Sequence, residues 1–253
     1  MNEQSLTRMK QMKFYGMYDA FKAALDTNQM DGYTIDEFVW HLIEQEYDDR
    51  QNRKITRHIN NARFRYQANL EDLVYDQARQ LDKNKIMRLA ECQFTKEGEN
   101  IIITGSTGVG KSYLASAFGH HACSKGLKVL YFNAAKLFTK MKMAKADGSY
   151  MKEMAKIERQ DIVLIDDFCL QPMDHQARLA LLDMVEDRHA KRSLILTSQY
   201  PIDTWHERIG DQTVADAVLD RIIHNAHRIE LGGESMRRKK QSITSENNQE
   251  NNK

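Results

Sequence analysis

A parallel α/β sheet flanked by helices, preceded by a small all-α region, is the fold class this sequence predicts, and three observations predict it. Five short apolar runs, IIIT (101–104), VLYF (129–132), IVLI (162–165), LILT (194–197) and HRIEL (227–231), are separated by stretches of helical length. Apolar strands alternating with helices specify a sheet covered on both faces. Residues 1–95 contain no proline, and their apolar residues recur at helical spacing. Between the first apolar run and the helical stretch SYLASAFGHHAC lies the glycine-rich segment GSTGVGKS, the punctuation of a strand–loop–helix unit.

Taken in order, Phe14, Met17, Tyr18, Phe21 and Leu25 form one helical stripe. Thr34 and Glu37, three apart before Phe38, Val39, Leu42 and Ile43, have the spacing of a capping box. Asn69 precedes a further stripe of Leu70, Leu73, Val74 and Leu81, so three or more helices are expected. The polar KEGEN at 96–100 marks a boundary between a helical domain over 1–96 and a core over 97–233. The remainder, ESMRRKKQSITSENNQENNK over 234–253, is basic and then polar and is expected to be disordered.

The chain has 253 residues, 41% hydrophobic and 29% charged, which excludes the profile of a disordered protein. No apolar run approaches the roughly 18 residues of a membrane span, and the N-terminus lacks the pattern of an export signal. Cys92, Cys123 and Cys169 are odd in number and outside any Cys-x-x-Cys pair, so they read as buried thiols rather than a disulfide frame or zinc site. A cytoplasmic protein with no membrane partner is the expectation. The 37 Lys and Arg almost balance the 36 Asp and Glu, which argues against a polyanionic partner unless the charges are clustered.

GSTGVGKS, comprising Gly105, Ser106, Thr107, Gly108, Val109, Gly110, Lys111 and Ser112, matches G-x-x-x-x-G-K-[ST] in full and is followed by Tyr113. Its glycines let backbone N–H groups face phosphates, and the following helix adds a favourable dipole. Lys111 is expected to neutralise the β- and γ-phosphates of ATP and the Ser112 hydroxyl to ligate Mg2+. The complementary acid comes from DIVLIDDF: Asp166 would hold the magnesium and Asp167 would act as general base toward the attacking water. LILT ends in Thr197, Ser198 and Gln199, any of which would face the γ-phosphate if that strand neighbours IVLI. Arg221, in VADAVLDRIIHNA, reads from spacing alone as an ordinary arginine of an exposed helix.

These stretches, with TWHERIGDQTVADAVLDRI and LGGESMR, resemble the AAA+ ATPases of the IstB and DnaC group, and more closely the IstB-type helper ATPases of bacterial insertion sequences. The resemblance covers roughly residues 5–240. It implies a P-loop ATPase that forms ring or helical homo-oligomers with ATP between neighbours and DNA gripped inside, and it makes Arg221 the arginine finger supplied in trans. It further implies an accessory role to an IstA-like transposase in DNA transposition; a DnaC-like helicase loader and a regulatory DNA-binding module are the alternatives. Asp167 stands where many AAA+ proteins have glutamate. With so few residues after LGGESMR, no helical lid of the kind many AAA+ proteins carry is expected, and Arg237 would partly stand in for a lid arginine.

Two clusters qualify the neutral net charge. Arg50, Arg53, Lys54, Arg57, Arg63 and Arg65 fall in sixteen residues without an acid, and the first four lie at i, i+3, i+4 and i+7, on one helical face. They would contact duplex phosphates, unless they pair with the acids of the preceding EQEYDD. Lys136, Lys140, Lys142, Lys145, Lys152 and Lys156 oppose only Asp147 and Glu153, and form either a second phosphate-binding surface or an exposed solubilising helix. Duplex DNA, bound without reading its sequence, is the expected partner.

Overall fold

The computed structural model describes residues 2–27 and 32–236. The chain divides into two compact units, residues 1–57 and 58–253. In the first, α1 (Asn2–Gln11), α2 (Tyr15–Thr27) and most of α3 (Ile35–Ala62) account for the helical periodicity. The capping box forms as its spacing predicts: the Thr34 N–H donates to Glu37 Oε2 at 2.8 Å and the Glu37 N–H to Thr34 Oγ1 at 3.3 Å. Gly16 lets α2 approach α3 closely, because a Cβ there would lie 2.2 Å from the Gln45 carbonyl oxygen. Buried Glu46 is satisfied by the Met17 N–H at 3.3 Å and by Arg50 Nε at 2.6 Å.

The second unit holds α4 (Lys83–Ala90), β1 (Asn100–Gly105), α5 (Lys111–Ser124), β2 (Val129–Asn133), α6 (Ala134–Ala146), α7 (Tyr150–Glu158), β3 (Ile162–Asp166), α8 (His175–Arg188), β4 (Ser193–Ser198), α9 (Trp205–Ile209), α10 (Gln212–Ile223) and β5 (Ala226–Leu231). Every pairing is parallel, in the order β2-β3-β4-β1-β5. Alternate residues of each strand enter opposite layers. Ile101, Ile103, Ile162 and Leu164 pack with Leu114 and Phe118 of α5, whereas Ile102, Val163 and Ile165 pack with α6, α8 and α10. Full burial of each such side chain is worth roughly 1.5–3 kcal/mol, and burial on both faces is why these strands are continuous apolar runs. Arg188, buried, donates to the carbonyls of Ile157, Gln160, Asp161 and Ser193, fastening the ends of α7 and β4 around the start of β3.

Three expectations change. The units part after Arg57 rather than after Lys96, because Ala62, Leu70, Leu73, Ile86, Leu89 and Phe94 pack in the same layer as β1 and α5. The stripe Leu70, Leu73, Val74 and Leu81 is not helical: apart from a 3-10 turn at Gln77–Arg79, residues 64–82 are irregular. Leu70, Leu73 and Leu81 are nonetheless buried and Val74 is 54% exposed, so the apolar residues meet the core without a helix. The expected disordered tail begins in contact with the core, since the Met236 N–H donates to the Gly108 carbonyl at 3.0 Å. Arg237 and the rest of 237–253 lie outside the described residues. Among the described residues, no helix is long and apolar enough to cross a membrane.

Candidate nucleotide site

Between the end of β1 and the start of α5, the loop turns through three glycines with φ of 142° (Gly105), 88° (Gly108) and 102° (Gly110), a region that residues with a Cβ avoid. At Gly105 a Cβ would also stand 2.2 Å from the Leu231 carbonyl oxygen of β5. Val109, buried in the core, anchors the loop, while Ser106 and Thr107 are exposed at its crest. Lys111 Nζ lies back over the loop, 2.9 Å from the Ser106 carbonyl. The first turn of α5 contributes the N–H groups and positive dipole end that favour an anion.

Asp166 ends β3 with no exposure and four donors. Its Oδ1 accepts from the hydroxyls of Ser112, at 2.7 Å, and Thr197. Its Oδ2 accepts from the Tyr131 hydroxyl at 2.7 Å and lies 3.5 Å from Arg65 Nη1. Burial first, and the carboxylate next, raise the Tyr131 phenol well above its usual range, so it stays a donor. Asp167 follows in a left-handed conformation, φ 60°. Its Oδ2 accepts from Asn133 Nδ2 at 3.0 Å and lies 3.7 Å from Arg65 Nη1.

Lys111, Ser112, Tyr113, Thr107, Gly108, Gly110, Asp167 and Gln199 line a cavity of about 580 Å³, completed by Arg65, Tyr66, Asp72, Leu73, Val74 and Arg79 from the irregular segment and by Met236. A volume of this order suits a nucleotide-sized ligand. Arg79 closes one side by donating to the Val109 carbonyl at 2.9 Å and the Val74 carbonyl at 3.2 Å. The Ser112 hydroxyl and the Asp166 carboxylate are the hard oxygen donors that magnesium takes, and they already meet at the cavity edge.

Thr197 and Ser198, expected to face the γ-phosphate, do not line the cavity. Both are fully buried: Thr197 supports Asp166 and accepts from the Asp167 N–H at 3.2 Å, and Ser198 donates to the Phe168 carbonyl at 2.8 Å. The two residues pair with Ile103 and Thr104 of β1 and, being adjacent on β4, point to opposite faces of the sheet. Gln199, one residue on, is the member of the trio that lines the cavity, where it accepts from the Thr107 hydroxyl. Arg65, expected among the phosphate-contacting cations, lies at the carboxylates, because Arg63 at φ 58° follows the end of α3 and the turn carries it there.

The remaining cations divide. Arg50 pairs with Glu46, and Arg53 with Asp49 at 2.6 Å, and their guanidiniums lie over the rings of Phe14 and Tyr15. Lys54, Arg57, Arg63 and Lys136 are exposed. Lys140 pairs with Glu153, and Lys142 with Asp174 at 3.1 Å. Arg221 on α10 donates to the Ala217 carbonyl at 2.7 Å and to Glu186 at 3.3 Å, and does not line the cavity. Sequence reasoning missed Tyr131, Asn133 and Arg79; the first two share one face of β2, two residues apart, beside the end of β3.

Residues 7–244 match the family described as IstB-like ATP binding protein. An insertion sequence ATP-binding protein of Sinorhizobium fredii (strain NBRC 101917 / NGR234) is 39% identical over 92% of this chain and 96% of its own length. A second from that strain is 37% identical over 94% of this chain and 96% of its own. Among solved structures, the DnaC helicase loader superposes with a TM-score of 0.57 at 19% identity, over 66% of this chain and 97% of that one, a likeness of AAA+ fold. Motif, sheet order and sequence agree: the chain belongs to the IstB-like ATP-binding proteins and is a P-loop ATPase of AAA+ fold.

Proposed function

We propose that the chain binds ATP with Mg2+ at the loop Gly105–Ser112, assembles as a homo-oligomer on duplex DNA and assists a transposase, with hydrolysis releasing the complex. The observation that carries this reading is the convergence of Ser112, Asp166 and Asp167 on the phosphate loop. Lys111 offsets phosphate charge. Ser112 and Asp166 would hold the magnesium, which when bound neutralises charge developing on the phosphates. Asp167, oriented by Asn133, accepts the proton of the attacking water. Arg221, outside its own chain's cavity, serves the site of a neighbouring copy. The insertion-sequence names of the relatives support the transposase as partner, and the exposed Lys54, Arg57, Arg63 and Lys136 support sequence-independent phosphate contacts.

The test measures ATP turnover and duplex binding with and without an IstA-like transposase. Asp167→Asn is expected to retain ATP binding and lose turnover, and Arg221→Ala to lose turnover that wild-type subunits restore on mixing. Duplex-stimulated turnover and capture of the transposase support the reading. Preference for single strands with capture of a replicative helicase would replace it with the loader.

A further inference from the structure

Arg65 lies in a basic run and yet belongs to the nucleotide cavity. Its position is built rather than incidental. After α3 ends at Ala62, Arg63 takes φ 58°, and the residues on either side of Arg65 are fastened to α5. The Phe64 ring packs 4.3 Å from that of His120, in space that Gly119 leaves open, where a Cβ would come within 2.4 Å of the Phe64 ring. The Tyr66 carbonyl lies 3.1 Å from His120 Nε2, and the Tyr66 ring 6.4 Å from that of Tyr113.

So held, the guanidinium spans two carboxylates, donating to Asp166 over a long 3.5 Å and lying 3.7 Å from Asp167, with the Tyr131 hydroxyl beside it, and its side chain stays 43% exposed. The tight pairs in this chain, such as Arg53 with Asp49, close to 2.6 Å. Among the cations lining the cavity, Arg79 is committed to two carbonyls and Lys111 belongs to the loop. Arg65 faces both carboxylates at the end of β3, where a terminal phosphate would otherwise meet two negative charges. A planar guanidinium with five donors matches phosphate oxygens bidentately.

We propose that Arg65 is a phosphate-contacting residue, acting within its own chain, that recognises the terminal phosphate of a nucleoside triphosphate and so separates triphosphate from diphosphate. This rests on the reading that Gly105–Ser112 holds the phosphates. The experiment titrates the full chain with fluorescent ATP and ADP, comparing wild type with Arg65→Ala, Arg65→Gln and Lys111→Ala. Glutamine keeps a polar side chain without the charge, and decides the matter if the alanine variant fails to fold. Removing one charge-assisted hydrogen bond should raise the ATP dissociation constant about tenfold and leave that for ADP within about twofold. An unchanged ATP-to-ADP ratio in the folded variants, alongside loss of both nucleotides in Lys111→Ala, would overturn the role of Arg65 alone. Normal binding of both nucleotides by Lys111→Ala would overturn the loop reading and this proposal together.

Discussion

Thr197→Val separates two roles for a residue at the edge of the site. Valine fills the same space but removes a hydroxyl that donates to Asp166 and accepts from the Asp167 N–H. A hydrogen bond to a charged group is worth about 1.5–3 kcal/mol, and stranding a buried N–H adds about 1 kcal/mol or more. Asp166 keeps its bonds from Ser112 and Tyr131, so the loss should be about 3 kcal/mol, or roughly 6–12 °C in Tm for a unit of this size. Turnover should fall as well, because both carboxylates lose a restraint. Nucleotide affinity without divalent cation should stay within about twofold, since Thr197 does not line the cavity. Thermal unfolding and a metal-free nucleotide titration measure the two quantities. Wild-type stability together with a selective loss of ATP affinity would refute the reasoning and return Thr197 to the γ-phosphate.

Charge reversal at Lys54 and Arg57 should reduce the salt dependence of duplex binding by about 0.9 for each phosphate no longer neutralised. Reversal at Arg50 and Arg53 should reduce it less, because those residues already hold Glu46 and Asp49; salt titrations of binding compare the pairs. Burial raises the thiols of Cys123 and Cys169 to about 12, leaving about one thiolate in ten thousand at pH 8. Native protein should therefore resist a thiol reagent at both positions until denatured, and prompt labelling would contradict their burial. Arg188→Leu removes a side-chain donor from four carbonyls, of which those of Ile157 and Asp161 keep a backbone N–H; this should cost about 3 kcal/mol by urea unfolding, and Arg188→Lys, lacking the planar fork, should recover little of it.

The strands were legible because a strand buried on both faces must be apolar throughout, and IIIT, VLYF, IVLI and LILT each lie within the strand observed. The phosphate loop was legible because its glycines answer a local backbone demand. What escaped was non-local. Leu70, Leu73 and Leu81 carry helical spacing, yet an irregular segment pressed against α5 buries the same residues. Arg65 looked like its neighbours in a basic run until the turn at Arg63 redirected it. Thr197, Ser198 and Gln199 were equivalent by spacing, and only the folded chain distinguishes them, by burying the first two and bringing the third to the cavity.

The sheet order has a consequence for synthesis. β1 and β3, which deliver the phosphate loop and the two carboxylates, do not pair with each other; β4 stands between them. A nascent chain that has emerged only to residue 190 carries GSTGVGKS and DIVLIDDF but lacks the strand that joins their halves of the sheet. Formation of the site therefore waits for residues 193–198, a long-range insertion of the kind that slows folding and exposes unpaired edges meanwhile. A fragment ending before Ser193 would hold every acid and glycine of the site and still have no common sheet on which to bring them together.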